Sequence, residues 1–180
     1  GNAGNITAHW IGYSEYAHQS GAAVTEACSY CKGHCPYGGG GIVGSRPVMV
    51  GYQASGSAPF LRGGPVAEPE TVATAIRIGN PQSWDNAWTV QTESGGWFDE
   101  CTDEEILAAQ KLLTSKEGIF CEPASAASVA GILKYHDELP SGIIVCTLTG
   151  HGLKDPETAV ADFDPIDPVA PSLDAVVGLL

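Results

Sequence analysis

The sequence predicts an α/β domain built on a mainly parallel sheet, and three observations carry that expectation. Apolar stretches of strand length alternate along the chain with segments of helical spacing. Ile143–Leu148 is continuously apolar and rich in β-branched residues, the pattern of a strand covered on both faces. The chain opens on Gly1-Asn2-Ala3-Gly4-Asn5 directly before a helical pattern. Such a turn, with the amides and dipole of a helix N-terminus behind it, is shaped as a socket for a phosphate or carboxylate.

Each element has its own local reason. In the opening turn glycine tolerates positive φ, and asparagine visits the left-handed region more readily than most residues with a β-carbon. Ile6, Trp10, Tyr13 and Ala17 then recur at helical spacing and predict one buried stripe, with Gly21 as its C-terminal stop. Gly33 to Gly44 is glycine-rich and irregular, and Pro47–Tyr52 has the length and composition of a strand. Pro69-Glu70 opens an expected helix through about Ile76. Ser83 is placed to cap a helix from Trp84 to Glu93, stopped by Gly95-Gly96. Thr102 and Glu105 have the spacing of a capping box, with Ile106, Ala109 and Leu113 lining the helix that follows. Pro123 suits a first helical position. The spacing of Val129, Ile132, Leu133 and His136 predicts an apolar face and makes His136 a satisfied core histidine. The tail from Asp162 is rich in proline and acids until Leu173–Leu180, which reads as a last helix. Residues 1–160 are thus expected to form one α/β portion with an inserted Gly/Cys-rich loop at about 22–45, and 161–180 a C-terminal tail.

Composition narrows the function classes. At 180 residues, with 43% hydrophobic and 16% charged, the chain is long and apolar enough for a packed core. No apolar run approaches the roughly 20 residues that span a bilayer. A formal charge of −13 argues against nucleic acid and anionic membrane surfaces as partners. A phosphorylated ligand would therefore be held by local amides and a few placed cations rather than steered by the overall field. The mixture of free thiols and the lack of a charged-then-apolar leader suit a reducing cytoplasm.

Five segments, in order, resemble the threonine synthases, members of the tryptophan-synthase-β-like family of pyridoxal-phosphate (PLP) enzymes. They are Gly1–Ala8, Tyr52–Pro59, Ala73–Pro81, Gly118–Ser128 and Cys146–Pro156. The resemblance covers only the family's C-terminal half. It implies a three-layer PLP fold type II architecture, of which this chain is the C-terminal portion. It also implies a lyase that converts O-phospho-L-homoserine and water to L-threonine and phosphate, and a homodimer when full-length. In that family the Schiff-base lysine lies before the segment seen here, so the chain is expected to be an inactive fragment with no catalytic residue of its own. Lys154 belongs to another motif and is not that lysine.

The resemblance assigns Gly1, Asn2, Ala3, Gly4 and Asn5 to the cofactor phosphate and the Thr149 hydroxyl to its pyridine nitrogen. A neutral hydroxyl there, instead of a carboxylate, suits elimination and replacement chemistry. Gly150 and Gly152 would let a ring approach the backbone, and His151 is read as a polar turn residue. Arg77, in the segment expected to line the cleft, is given a structural role. Cys28, Cys31, His34 and Cys35 form a C-x2-C-x2-H-C pattern, but four ligands within eight residues lack the distant second pair of a structural zinc site. A surface loop with reduced thiols is the preferred reading, and no metal ligand is assigned. Cys101, Cys121 and Cys146 read as small buried hydrophobes. The alternatives are a PLP-dependent dehydratase or β-replacement enzyme of the same fold, and a non-catalytic metal- or thiol-binding module.

Overall fold

A computed structural model describes residues 1–19, 45–161 and 168–178. In chain order these form α1 (Gly4–Gln19), β1 (Val50–Ala54), α2 (Pro59–Arg62), α3 (Trp84–Ser94), β2 (Trp97–Cys101), α4 (Asp103–Leu112), α5 (Pro123–Lys134), α6 (Pro156–Val160) and α7 (Leu173–Val177). Gly21, the Gly33–Gly44 stretch and the Cys28–Cys35 pattern lie outside the described residues.

β1 and β2 pair in parallel, from Val50 opposite Trp97 to Ala54 opposite Cys101. The mixed helix and parallel-sheet architecture agrees with the expected α/β class. β2 was not legible because Asp99 and Glu100 interrupt its apolar pattern. Both acids find partners on neighbouring elements: Tyr135 donates to Asp99 Oδ1 at 2.8 Å, and Arg62 stands 2.8 Å from Glu100 Oε2. β1 begins three residues later than expected, past Pro47, which has no N–H to give a ladder.

The stripe that α1 buries is Thr7, Trp10, Ser14 and Ala17; Tyr13 is exposed and Ile6 half-buried. Polar partners set this rotation. Trp10 Nε1 donates to Glu93 Oε2 at 2.7 Å, and Arg46 lies 4.2 Å over the Trp10 ring while donating to Ser14 Oγ. α1 is thereby fixed to α3 through a partly buried cation, a carboxylate and an indole. α3 matches its expected span to within a residue and is closed by Gly95 in the left-handed conformation, although the Ser83 side chain makes no cap.

The expected helix from Pro69 to Ile76 is instead an irregular segment with one 3-10 turn, Thr74–Ile76. Competing tertiary bonds explain the change: Thr71 donates its hydroxyl to Asp103, and the Val72 amide donates to Asp103 Oδ2 at 3.0 Å. The capping box at α4 forms as its spacing predicts, with both reciprocal bonds present. Ile106, Ala109 and Leu113 are buried with Ala54, Cys101, Ala126 and Ala130 in the core.

α5 corrects two expectations. Its inward face carries Ala126, Ala127, Ala130 and Gly131, while Leu133 is exposed and Val129 and Ile132 are half-buried. His136 lies past the helix end, exposed, 3.0 Å from Asp137; it is not a core residue. Small residues won this face because they let α5 approach α4 and β1 closely, which larger apolar side chains would prevent.

The largest correction concerns Ile143–Leu148. The segment has no regular structure and pairs with no strand among the described residues, and Ile143 and Val145 are 96% and 76% exposed. A doubly covered strand needs ladder neighbours and a layer on each face. The described residues supply neither, beyond the packing of Leu148 on the core. Short caps start the last two helices, Asp155 at α6 and Ser172 at α7.

Candidate active site

A cleft of about 400 Å³ brings together residues from both ends of the chain. Gly1, Asn2, Ala3, Gly4 and Asn5 line one part of it, Tyr52 and Gln53 of β1 form a face, Phe60 and Phe98 an aromatic wall, and Glu122 and Thr149 a polar edge. The sequence-distant candidates Gly1–Asn5 and Thr149 therefore share one cleft.

The opening turn is shaped by one strained residue. Ala3 has φ 60°, in the left-handed region that a β-carbon makes unfavourable. The expectation gave that conformation to glycine or asparagine, whereas here alanine adopts it. Surrounding bonds hold it there: Thr7 Oγ1 donates to Ala3 O at 2.9 Å, Ser83 N donates to Asn2 O, and Gln82 N donates to Asn2 Oδ1. The Asn2 side-chain oxygen thus faces the backbone of the 81–83 turn. Gly1 packs against the 75–76 backbone, where an added β-carbon would come within 3.2 Å of Ile76. A β-carbon at Gly4 would meet open space. The first amides of α1 have no earlier helical carbonyl, so they stand as donors beside the cleft.

Thr149 is held without a strand ladder. Glu122 N donates to Gly150 O at 3.0 Å, and Gly152 N donates to Phe120 O at 3.0 Å. Gly150 N donates to Ser125 Oγ at 2.7 Å, and the Ser125 and Thr149 hydroxyls stand 3.2 Å apart. Residues 149–152 are therefore laced to the segment that enters α5. The two glycines serve this lacing: a β-carbon at Gly150 would strike the Glu122 carboxylate, and one at Gly152 the Phe120 ring. Their vacated volume is filled by those side chains rather than kept for a ligand. The Glu122 side chain, in a residue only 6% exposed, has no hydrogen-bond or ion-pair partner among the described residues, so it leaves an acidic group on the cleft wall.

Gln53 orients the aromatic wall, its Oε1 accepting from Phe60 N at 3.1 Å. Phe60 stacks on Trp84 with 4.6 Å between centroids and lies tilted on Phe98 at the same distance. Glu122, Ser125, Phe60 and Phe98 were given no role from sequence, although Glu122 and Ser125 fall in the matched Gly118–Ser128 segment. His151 accepts from Leu153 N through Nδ1 and stands edge-on to Phe120, as a turn residue would. Arg77 pairs with Glu70 at 3.3 Å and is not among the residues that line the cleft, although Ile76 and Ile78 on either side of it are. Cys101 and Cys121 are buried and Cys146 half-buried, and burial pushes all three thiols up, Cys101 to about 11.

Comparison with known proteins adds to this geometry. The chain is 52% identical over 161 residues to the threonine synthase of Synechocystis sp., covering 89% of this chain and 37% of that protein. It is 48% identical over 178 residues to the threonine synthase of Mycobacterium bovis, covering 94% and 44%. With the threonine synthase of Halalkalibacterium halodurans it shares 46% over 175 residues, covering 96% and 43%. The chain thus spans about two fifths of the length of these curated relatives. Among solved structures, the T.th. threonine deaminase is similar at a TM-score of 0.45 and 21% identity, over 52% of this chain and 33% of that one. The family model described as pyridoxal-phosphate dependent enzyme matches residues 20–150, so the chain belongs to that family and its cofactor is pyridoxal phosphate.

Proposed function

We propose that this chain is the C-terminal part of a threonine synthase, a lyase that converts O-phospho-L-homoserine and water to L-threonine and phosphate. The observation that carries the reading is the convergence of Gly1–Asn5 and Thr149 on one cleft, although 143 residues of sequence lie between Asn5 and Thr149. The similarity to three threonine synthases at 46–52% identity supports the choice of reaction.

The donor set of the cleft fits the family's cofactor. The amides and dipole at the start of α1 suit a phosphate, as Gly1, Asn2, Ala3, Gly4 and Asn5 were expected to provide. The Thr149 hydroxyl suits a pyridine nitrogen, and Phe60 and Phe98 give the cleft an apolar side that excludes water. When bound, the cofactor supplies an electron sink for carbon-acid chemistry. Thr149 donates one neutral hydrogen bond and adds no charge at that position. The proton-moving lysine of the family would come from the part of the polypeptide outside this chain, and that part would complete the site. The intact enzyme is proposed to act in the cytoplasm as a homodimer.

The test uses the intact polypeptide that carries this segment. Thr149→Val should slow threonine formation about ten- to a thousandfold while cofactor binding weakens only about two- to tenfold. Thr149→Ser should keep most activity because the donor survives. The 180-residue chain alone should form no threonine, and borohydride should leave no stoichiometric phosphopyridoxyl-lysine in it. A wild-type rate for the valine variant would remove Thr149 from the site.

A further inference from the structure

We propose that Ser125 is a positioning residue: its hydroxyl donates to Thr149 Oγ1 and so turns the Thr149 proton into the cleft. The inference rests on the reading of Thr149 as the hydroxyl that meets the cofactor ring. Ser125 lies in the first turn of α5, and only 2% of its surface is exposed. It does not line the cleft, so it acts through its neighbour.

Two proton arrangements fit the oxygens around Ser125. Ser125 Oγ accepts the Gly150 amide at 2.7 Å, the shortest contact of the group, and has one proton left to give. Two acceptors stand within reach, Thr149 Oγ1 at 3.2 Å and Gly150 O at 3.3 Å. Gly150 O already receives the Glu122 amide at 3.0 Å. Given to Gly150 O, which keeps a second lone pair, the Ser125 proton would leave Thr149 to donate to Ser125 Oγ. Given to Thr149 Oγ1, the nearer acceptor and one with no other donor among the described residues, it leaves the Thr149 proton free, and this is the proposed arrangement. Thr149 then has its own proton free, and with one oxygen lone pair taken by Ser125 the remaining O–H points toward the cleft that Thr149 lines. Bonds in such a chain polarise one another, which makes the outer hydroxyl a better donor. Without Ser125, the Thr149 side chain would be free to rotate, and the buried Gly150 amide would lose its acceptor.

A double-mutant cycle in the intact polypeptide tests the coupling, with the dissociation constant of pyridoxal phosphate from absorbance titration as the readout beside turnover. Ser125→Ala should weaken cofactor binding about three- to tenfold when Thr149 is present. In a Thr149→Val background the same change should alter it less than about twofold, because there is no proton left to orient. An equal loss in both backgrounds would overturn the inference and leave Thr149 as the ring's partner. If Thr149→Val by itself left the dissociation constant and turnover unchanged, the reading of Thr149 would fail first. Should Ser125→Ala show no cooperative unfolding transition, Ser125→Cys takes its place in the same cycle. Its thiol is close in size and a weak donor, and the same two patterns decide.

Discussion

The ring of Tyr52 occupies the space where a β-carbon of residue 131 would stand, so Gly131 brings α5 into direct contact with β1. An added methyl would lie 2.3 Å from the ring carbons. Tyr52 in turn lines the cleft and stacks on Tyr135 with centroids 5.9 Å apart. Helix, strand and cleft wall are therefore coupled through one missing side chain.

Gly131→Ala should destabilise the protein, although alanine is the better helix former by about 1 kcal/mol. Overpacking against the Tyr52 ring should outweigh that gain and give a net loss of about 1–2 kcal/mol, with Gly131→Val worse. Urea denaturation midpoints check this. A higher midpoint for alanine would mean that the helix can shift away from β1 at little cost.

The capping box makes a separate prediction. Thr102 Oγ1 accepts from Glu105 N at 3.3 Å, and Glu105 Oε2 accepts from Thr102 N at 2.8 Å. Thr102→Ala should cost about 1 kcal/mol, while Thr102→Ser should stay within about 0.5 kcal/mol of the parent. Equilibrium unfolding of the three proteins separates these outcomes. An alanine variant of parental stability would show that tertiary packing alone holds the start of α4.

Ala3 should respond to substitution in the order of backbone tolerance. Glycine at this position relieves the left-handed strain, so Ala3→Gly should bind pyridoxal phosphate at least as well as the parent in the intact polypeptide. Ala3→Val asks a β-branched residue to adopt φ near 60° and should weaken binding by about tenfold or more. Fluorescence titration with pyridoxal phosphate is the measurement. Equal affinities for glycine and valine would show that the turn does not hold the phosphate.

Alkaline pH should act through Cys101. Burial, and then the neighbouring Glu105 carboxylate, push its thiol from 9.0 up to about 11. A folded value above the unfolded one favours the protonated form in the native state. That stability is fully present below about pH 9 and is lost as pH rises through about 11. Cys101→Ala should flatten the dependence of stability on pH in that window and cost some packing at neutral pH. Unfolding curves at about pH 7, 9 and 10.5 would show it, and parallel slopes for both proteins would exclude Cys101 as the titrating group.

What the sequence determined by itself was local. The Thr102–Glu105 box, the Gly95 stop, Pro123 at the head of α5 and the buried face Ile106–Ala109–Leu113 depend on neighbours a few residues away, and they formed as spacing alone required. The opening turn was legible as a candidate for the same reason, since glycine and asparagine shape a helix start within a short motif, while Thr149 was singled out by the resemblance of Cys146–Pro156 to the family. Tertiary structure decided everything that depends on a partner far along the chain. Asp103 drew Thr71 and Val72 into a non-helical path where local signals favoured a helix. Arg62 and Tyr135 made a strand of Trp97–Cys101 by taking up its acids. Ile143–Leu148 has the composition of a central strand, yet composition supplies no ladder, and among the described residues none is present. The convergence of residues 1–5 with Thr149 and Glu122, and the Ser125 side chain behind them, depends on the packing of α5 on β1. No spacing rule reaches across that distance, because only the folded chain sets which surfaces meet.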